Sequence, residues 1–319
     1  MSGSSETLLL ILSLLGCTEI FQKSNKTAIA AISSLAMTIS RRNFFTGMLT
    51  ALTIIGLGRS ANAQEKQPTP LIRGHAHNDY EHTRALYDAL EHGFTSVEVD
   101  VYLVNNQLLV AHDPTQLQPE RTLQSLYLDP LRERVKQNKG RVYSKGDLEF
   151  TLLIDVKTEA ITTYFALRSV LQQYQDILTT FSSGSRTDKA VIAIISGNRT
   201  QAVMAGEATR YAALDARLAD LSSNFSSNLM PLISDNWTNN FTWSGNGSIS
   251  SEERQKLRQF VRTAHVQGKR IRFYATPDNL AMWRELLMAD VDLINTDNLA
   301  GLQEFLLQED SLAKGNSAN

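Results

Sequence analysis

A rhythm in the chain constrains its fold more than any single residue does. From about residue 70 onward, short β-rich runs alternate with amphipathic, helix-like stretches. The strand candidates are PLIRGH, TSVEVDVYL, QLLVAH, FTLLIDVK, KAVIAII, RYAALD, MPLISD, RIRFYA and VDLIN. Between several of them lie YEHTRALYDALEHG, EAITTYFALRSVLQQY and SEERQKLRQFVRTAHVQGK, with apolar residues at helical spacing. Gly93 and Gly268 fall where helices usually stop. QLLVAH follows TSVEVDVYL across the turn signal Asn105-Asn106, which predicts a hairpin. With that extra strand set aside, about eight β units and their helices remain in a domain of roughly 250 residues. The economical reading is an α/β fold: a (β/α)8 TIM barrel over residues 71–308, with an extra hairpin strand after the second barrel strand. A doubly wound sheet is the runner-up.

Composition narrows the function only slightly. The chain has 319 residues and a formal charge of −2, which gives no reason to expect nucleic acid as a partner. Its one cysteine, Cys17, excludes an internal disulfide framework. Oligomeric state is left open.

The N-terminal 63 residues read as an export region. SRRNFF carries twin arginines and is followed by the uncharged stretch TGMLTALTIIGLG and the small-x-small site Ala61-Asn62-Ala63, a pattern similar to a Tat signal over about residues 37–63. Residues 1–36 do not fit such a signal, and Met37 is the expected start. The apolar run is too short for a membrane span, so no stable span is expected after cleavage. The predicted location is periplasmic or extracellular, with residues 64–70 as a linker and 309–319 as a tail.

The strand TSVEVDVYL alternates cleanly. Val97, Val99, Val101 and Leu103 share one face, and Ser96, Glu98, Asp100 and Tyr102 the other. In a barrel the valines meet the helices and the carboxylates point inward. Two carboxylates about 5 Å apart repel by roughly 3 kcal/mol at an effective dielectric near 20. A hard divalent cation removes that repulsion. FTLLIDVK repeats the device, with Asp155 and Lys157 on one face; Asp155 completes a three-carboxylate site and Lys157 offers a fixed positive charge to a phosphate oxygen. An exposed edge strand and a plain Asp–Lys ion pair are the alternatives. QLLVAHDP sets His112 at a strand end, before the turn-forming Asp113-Pro114. LIRGHAHNDYEH sets His75 and His77 at the end of the first strand. A zinc site of the His-x-His kind needs further histidines, and after His112 only His265 remains, on a helical stretch.

Taken in order, G-H-x-x-N, V-E-V-D-V, V-A-H-D, L-L-I-D-V-K-T and V-D-L-I-N-T-D resemble the glycerophosphodiester phosphodiesterase and phosphatidylinositol-specific phospholipase C superfamily over residues 70–308. RTLQSLYLDPL, ISGNR and HNDYEH are similar to the branch that includes altered inheritance of mitochondria protein 6. The resemblance implies a phosphoric diester hydrolase in which Glu98, Asp100 and Asp155 hold one Mg²⁺ or Ca²⁺ and His75 and His112 are the catalytic acid and base. Lys157, His77, Asn78, Arg199, Trp237 and Tyr274 are the expected substrate-binding residues, with His77 the alternative catalytic histidine if the first strand runs further. The family usually carries His-Arg-Gly where this chain has His75-Ala76-His77, so an expected phosphate-holding arginine is missing. Asp155 and Asn78 look more like the sphingomyelinase D-type relatives. The expected substrates are glycerophosphodiesters or phospholipid head groups. A sphingomyelinase D-like or lysophospholipase D-type lipase and a non-catalytic barrel that binds a phosphorylated ligand are the competing readings. Asp297, after the last strand, reads as a helix cap.

Overall fold

The structure, a computed structural model, describes residues 68–317 except Ser183. The Tat-like segment, Cys17 and Met37 lie outside the described residues.

Eight parallel strands close a ring. They are β1 (Leu71–Ala76), β2 (Phe94–Val104), β4 (Phe150–Val156), β7 (Val191–Gly197), β9 (Ala213–Ala216), β10 (Leu232–Asn236), β11 (Arg270–Tyr274) and β12 (Leu293–Thr296). Around the ring the order is β1, β2, β4, β7, β9, β10, β11, β12, and β12 pairs back onto β1. The ninth strand, β3 (Gln107–Val110), runs antiparallel to the end of β2 and stays outside the ring, as the Asn105-Asn106 turn predicts. Both asparagines take positive φ, 48° and 67°, the conformation a tight hairpin asks of its central residues. The barrel and its extra strand are those expected from the alternation.

Helices connect the strands. The principal ones are α1 (Tyr87–Glu91), α2 (Asp129–Gln137), α3 (Ala160–Gln172), α4 (Gln201–Gly206), α5 (Trp237–Asn240), α6 (Ser251–Val266), α7 (Leu280–Met288) and α8 (Leu299–Ser317). Side chains start several of them. Glu159 accepts the Ile161 and Thr162 amides ahead of α3, Ser250 that of Glu253 in α6, and Asn279 that of Met282 in α7. Among the described residues no helix is long and apolar enough to cross a membrane.

The barrel has two apolar layers, and strand alternation separates them. Val97, Val99 and Val101 are fully buried in the large core between strands and helices. Leu153, Ile192, Ile194, Ala213, Leu232 and Leu293 form a smaller cluster, joined by Phe181. These residues alternate with the outward-facing side chains and fill the lower interior. Phe181 belongs to a three-stranded antiparallel sheet of β5 (Thr180–Ser182), β6 (Ser185–Thr187) and β8 (Thr209–Arg210), tied by Leu178 to the start of β7. Sequence periodicity does not announce this sheet, since its strands are two or three residues long. Above the apolar layer, toward the strands' C-terminal ends, the same interior positions are polar: His75, Glu98, Asp100, Asp155, Ser196, Asp215, Ser234, Arg272 and Asn295.

Candidate active site

Register brings the carboxylates together. β2 and β4 pair in parallel with Glu98 opposite Leu153 and Asp100 opposite Asp155, so the two aspartates are lateral neighbours and Glu98 lies one interior layer below. One oxygen from each of Glu98, Asp100 and Asp155 lies within 4.8 Å of the others. Lys157 Nζ bridges Asp100 Oδ2 at 3.1 Å and Asp155 Oδ1 at 3.2 Å. Burial raises the pKa of Asp100 to about 6 despite Lys157 and the Tyr80 hydroxyl, and burial also raises that of Asp155. Burial would lower Lys157, but its two aspartates raise it above the usual lysine value. Glu98 is 5 % exposed, and its Oε2 is buried with no hydrogen-bond partner. An orphaned carboxylate oxygen beside two crowded aspartates is a donor set that fits a hard divalent cation.

The two histidines of LIRGHAHNDYEH are not equivalent. His75 is completely buried. Its Nδ1 lies 2.7 Å from Ser96 Oγ, and its Nε2 accepts from the Arg272 guanidinium at 2.5 Å. An acceptor Nε2 fixes the neutral tautomer, with Nδ1–H donating to Ser96. Burial, then the Arg272 charge, holds its pKa well below the ordinary value. Both ring nitrogens are committed, so the structure does not support the acid–base role expected for His75. The strand ladder continues past β1, with the His77 amide donating to Thr296 at 3.0 Å. His77 therefore points inward one layer above His75, at the mouth. Its Nδ1 lies 2.8 Å from Asp297 Oδ1, and its Nε2 lies 3.6 Å from Glu98 Oε2. Burial opposes protonation there, but the Asp297 hydrogen bond and the Glu98 charge raise the pKa overall. Asp297 is thus the partner of His77, in addition to standing before α8.

His112 enters from the other side of the triad. It is more than half exposed, its Nδ1 lies 3.0 Å from the Tyr80 hydroxyl, and the same nitrogen is 3.7 Å from Asp100 Oδ2. Tyr80 also donates to Asn78 Oδ1 at 3.0 Å. Asn78 stands at φ 46°, a left-handed conformation that asparagine tolerates. Asp79, fully buried, accepts the Leu86 amide at 2.6 Å and the Tyr127 hydroxyl at 2.8 Å. Leu86 stands at φ 66° and ψ −49°, with Tyr87 N donating to Ala85 O at 2.8 Å: a strained γ-turn held from below by that carboxylate. Tyr127 comes from RTLQSLYLDPL, so this hydrogen bond joins that motif to HNDYEH although the two are far apart in sequence.

The remaining expectations divide. Tyr274 stands above Arg272, whose guanidinium carbon is 5.8 Å from the ring centre, and it reaches the mouth. Arg199 follows β7, with its guanidinium 3.8 Å from Asp220. Trp237 does not line the mouth. It is 1 % exposed, stacks on Phe241 at 4.1 Å, meets Phe273 edge-on at 5.6 Å, and gives its Nε1–H to Trp243 O. The aromatic that follows β10 turned outward into the helical layer because α5 starts there. Arg272 and Arg217 were missed. In RIRFY, strand alternation puts Arg270, Arg272 and Tyr274 on one face against Ile271 and Phe273, so two arginines directed into a barrel were legible as a signal. Arg272 is 2 % exposed, bonded to His75, Ser234 and Asn295, and 3.6 Å from Glu98 Oε2.

A closed barrel of eight parallel strands carries a carboxylate triad and two histidines at its C-terminal rim, and comparison with known proteins shows what it is similar to. Residues 65–215 match the AIM6-like phosphodiesterase domain, and residues 270–300 match the glycerophosphoryl diester phosphodiesterase family. The chain thus carries an AIM6-like phosphodiesterase domain match over just under half its length, and it is similar to the proteins of that wider group. It is 28% identical to altered inheritance of mitochondria protein 6 of Eremothecium gossypii, over 78% of this chain and 73% of that protein. It is 26% identical to the homologue of Arthroderma benhamiae, over 73% of this chain and 85% of that one. The solved glycerophosphodiester phosphodiesterase of Agrobacterium tumefaciens aligns with 74% of this chain and 99% of its own, at 15% identity and a TM-score of 0.42. The relatives overturn one expectation. They are yeast and fungal proteins, eukaryotic and not exported by the Tat route, so the reading of residues 37–63 as a Tat signal, and the periplasmic or extracellular location drawn from it, are withdrawn.

Proposed function

We propose that the protein is a divalent-cation-dependent phosphodiesterase that acts on glycerophosphodiesters or phospholipid head groups, with His77 and His112 as its acid–base pair. The observation that carries this is the placement of two accessible imidazoles on opposite flanks of one carboxylate triad, His77 against Glu98 and His112 against Asp100. Glu98, Asp100 and Asp155 would hold one Mg²⁺ or Ca²⁺, which when bound neutralises negative charge growing on a phosphoryl group.

The chain's own residues supply the rest. Asp297 takes the Nδ1–H of His77, which leaves Nε2 as the atom that accepts or returns a proton in the mouth. Tyr80 holds His112 by Nδ1, which leaves its Nε2 for the other side of the phosphorus. One imidazole removes the proton of the attacking hydroxyl and the other protonates the leaving oxygen. Lys157 presents its ammonium to a non-bridging oxygen, and buried Arg272 sets a positive charge 3.6 Å from Glu98 Oε2 from below. Where the substrate carries a hydroxyl next to the phosphate, internal attack is favoured by proximity.

The test is a panel of glycerophosphodiesters and lysophospholipids assayed with and without chelator, alongside calorimetric titration of Mg²⁺ and Ca²⁺. Turnover that needs the cation, with one ion bound per chain, supports the reading. Turnover that survives complete metal removal contradicts the carboxylate centre, and a bound cation without turnover leaves a binding barrel.

A further inference from the structure

A second charged group sits at the mouth, on the strand that lies across the ring from β1. Arg217 follows β9, and its guanidinium is fixed from below: NH1 meets Asp215 Oδ2 at 2.8 Å and NH2 meets Ser196 Oγ at 3.4 Å. Asp215 is fully buried and also accepts the Ser196 hydroxyl at 2.8 Å. The upper part of Arg217 remains accessible, its side chain 27% exposed. Arg199 comes from the neighbouring loop after β7. Among the described residues its guanidinium forms no hydrogen bond and meets only Asp220, at 3.8 Å. Asp220 is a weak competitor, because the same carboxylate oxygen already accepts the Arg217 amide at 2.8 Å. Burial and the nearby Arg217 charge both push the pKa of Arg199 below its usual value. The Arg199 guanidinium and the Arg217 main chain approach the same Asp220 oxygen, and the repulsion between the two side-chain charges is a cost that a shared oxyanion relieves.

The motif ISGNR builds this place residue by residue. Ser196 holds Arg217. Gly197 stands at φ 67°, and a Cβ there would lie 2.1 Å from Asp155 Oδ1, so bare backbone separates the arginine loop from the carboxylate triad. Asn198 ties the loop to the Lys157 and Thr158 carbonyls at 3.3 and 3.0 Å. Arg199 also lines a cleft of 420 Å³ with Ala160, Gly197, Asn198 and Gln201, to which Arg217 does not contribute. The scissile group has Lys157 and the cation for its charge, which leaves the arginines for another anion.

We propose that Arg199 and Arg217 form an anion subsite that receives a second phosphate, carried on the substrate's head group. This rests on the reading of the carboxylate centre as a phosphodiesterase. A dianionic phosphate takes two guanidinium forks, whereas a neutral or cationic head group leaves both unpaired. The preferred substrates are therefore phosphodiesters of phosphorylated alcohols.

The experiment compares glycerophosphoinositol with glycerophosphoinositol 4-phosphate, in wild type, Arg199→Gln and Arg199→Lys. Arg199 is chosen because removing Arg217 strips a buried aspartate of its partner. The wild type is expected to favour the phosphorylated diester at least tenfold in kcat/KM. That ratio should fall about tenfold in Arg199→Gln and recover in part in Arg199→Lys. An unchanged ratio in Arg199→Gln overturns the proposal, as does an equal loss on both substrates, which would assign Arg199 to the scissile phosphate. Calorimetric binding of inositol 1-phosphate and inositol 1,4-bisphosphate decides separately from turnover. If no diester is cleaved but the bisphosphate binds more tightly and loses that advantage in Arg199→Gln, the catalytic reading fails and the subsite stands. Equal binding of the two phosphates overturns the subsite.

Discussion

His75 and His77 are two residues apart on one strand face, and a single layer of burial separates their chemistry. The lower ring is a neutral spacer between Ser96 and Arg272, while the upper one is open to solvent and backed by Asp297. We expect His77→Asn to lower kcat by about 10²–10⁴-fold, the usual worth of a general acid or base, with cation affinity in calorimetry nearly unchanged. His75→Asn removes the acceptor of a buried guanidinium and is expected to cost about 1–3 kcal/mol of stability in denaturant titration. A larger rate loss at His75 than at His77, in folded protein, would return the role to His75. Asp79 offers a prediction of another kind. Burial raises its pKa from 3.8 to about 6. Between those values the folded chain keeps a proton that the unfolded chain has released. The associated stability is complete below pH 4 and is lost as pH rises through about 6, amounting to about 3 kcal/mol. Asp79→Asn keeps one oxygen for the Leu86 amide and the Tyr127 hydroxyl, so it should remove that part of the slope. The difference in unfolding free energy between the two proteins, measured from pH 4 to 8, checks it; parallel curves would show that Asp79 does not titrate in this range.

At the scale of elements, alternation carried the argument a long way. The nine strand candidates are all strands, and the valine face of β2 packs on helices while its carboxylates enter the barrel. Period two is a local property, set by the pleat, and a sequence displays it directly. The direction a side chain takes just beyond a strand end is less visible. Trp237 comes directly after β10, where a mouth residue and a core residue read alike, and only the turn into α5 sends it outward. Trp237→Ala is accordingly expected to cost about 3–5 kcal/mol in denaturant unfolding, as for other buried aromatics, and to leave cation affinity unchanged. A stable variant with weakened substrate binding would place the ring at the site after all. The sheet of β5, β6 and β8 was illegible for another reason: strands this short have no periodicity, and they exist through pairing and through Phe181 in the barrel floor.

Ring closure converts separate strands into a site. Residues from β1, β2, β4, β11 and the loops after β3 and β12 meet at one end, although Glu98 and Arg272 are far apart in the chain and 3.6 Å apart in space. The three carboxylates have Lys157 against only two of them, so the triad stays crowded and cation binding should stabilise the whole barrel. At a concentration 100 times its dissociation constant, Mg²⁺ or Ca²⁺ is expected to add about 2.7 kcal/mol, read as a rise in Tm that Asp155→Asn diminishes. No rise with either ion would argue against a cation site. By itself the sequence determined the barrel, its extra strand and the three carboxylates with Lys157, because pattern and period are written locally. Tertiary structure alone decided which histidine is free, which aspartate backs it and which arginines stand near the mouth. Those depend on depth and on neighbours brought from distant strands, and burial, which sets a group's charge and its partners, is a property of the closed barrel.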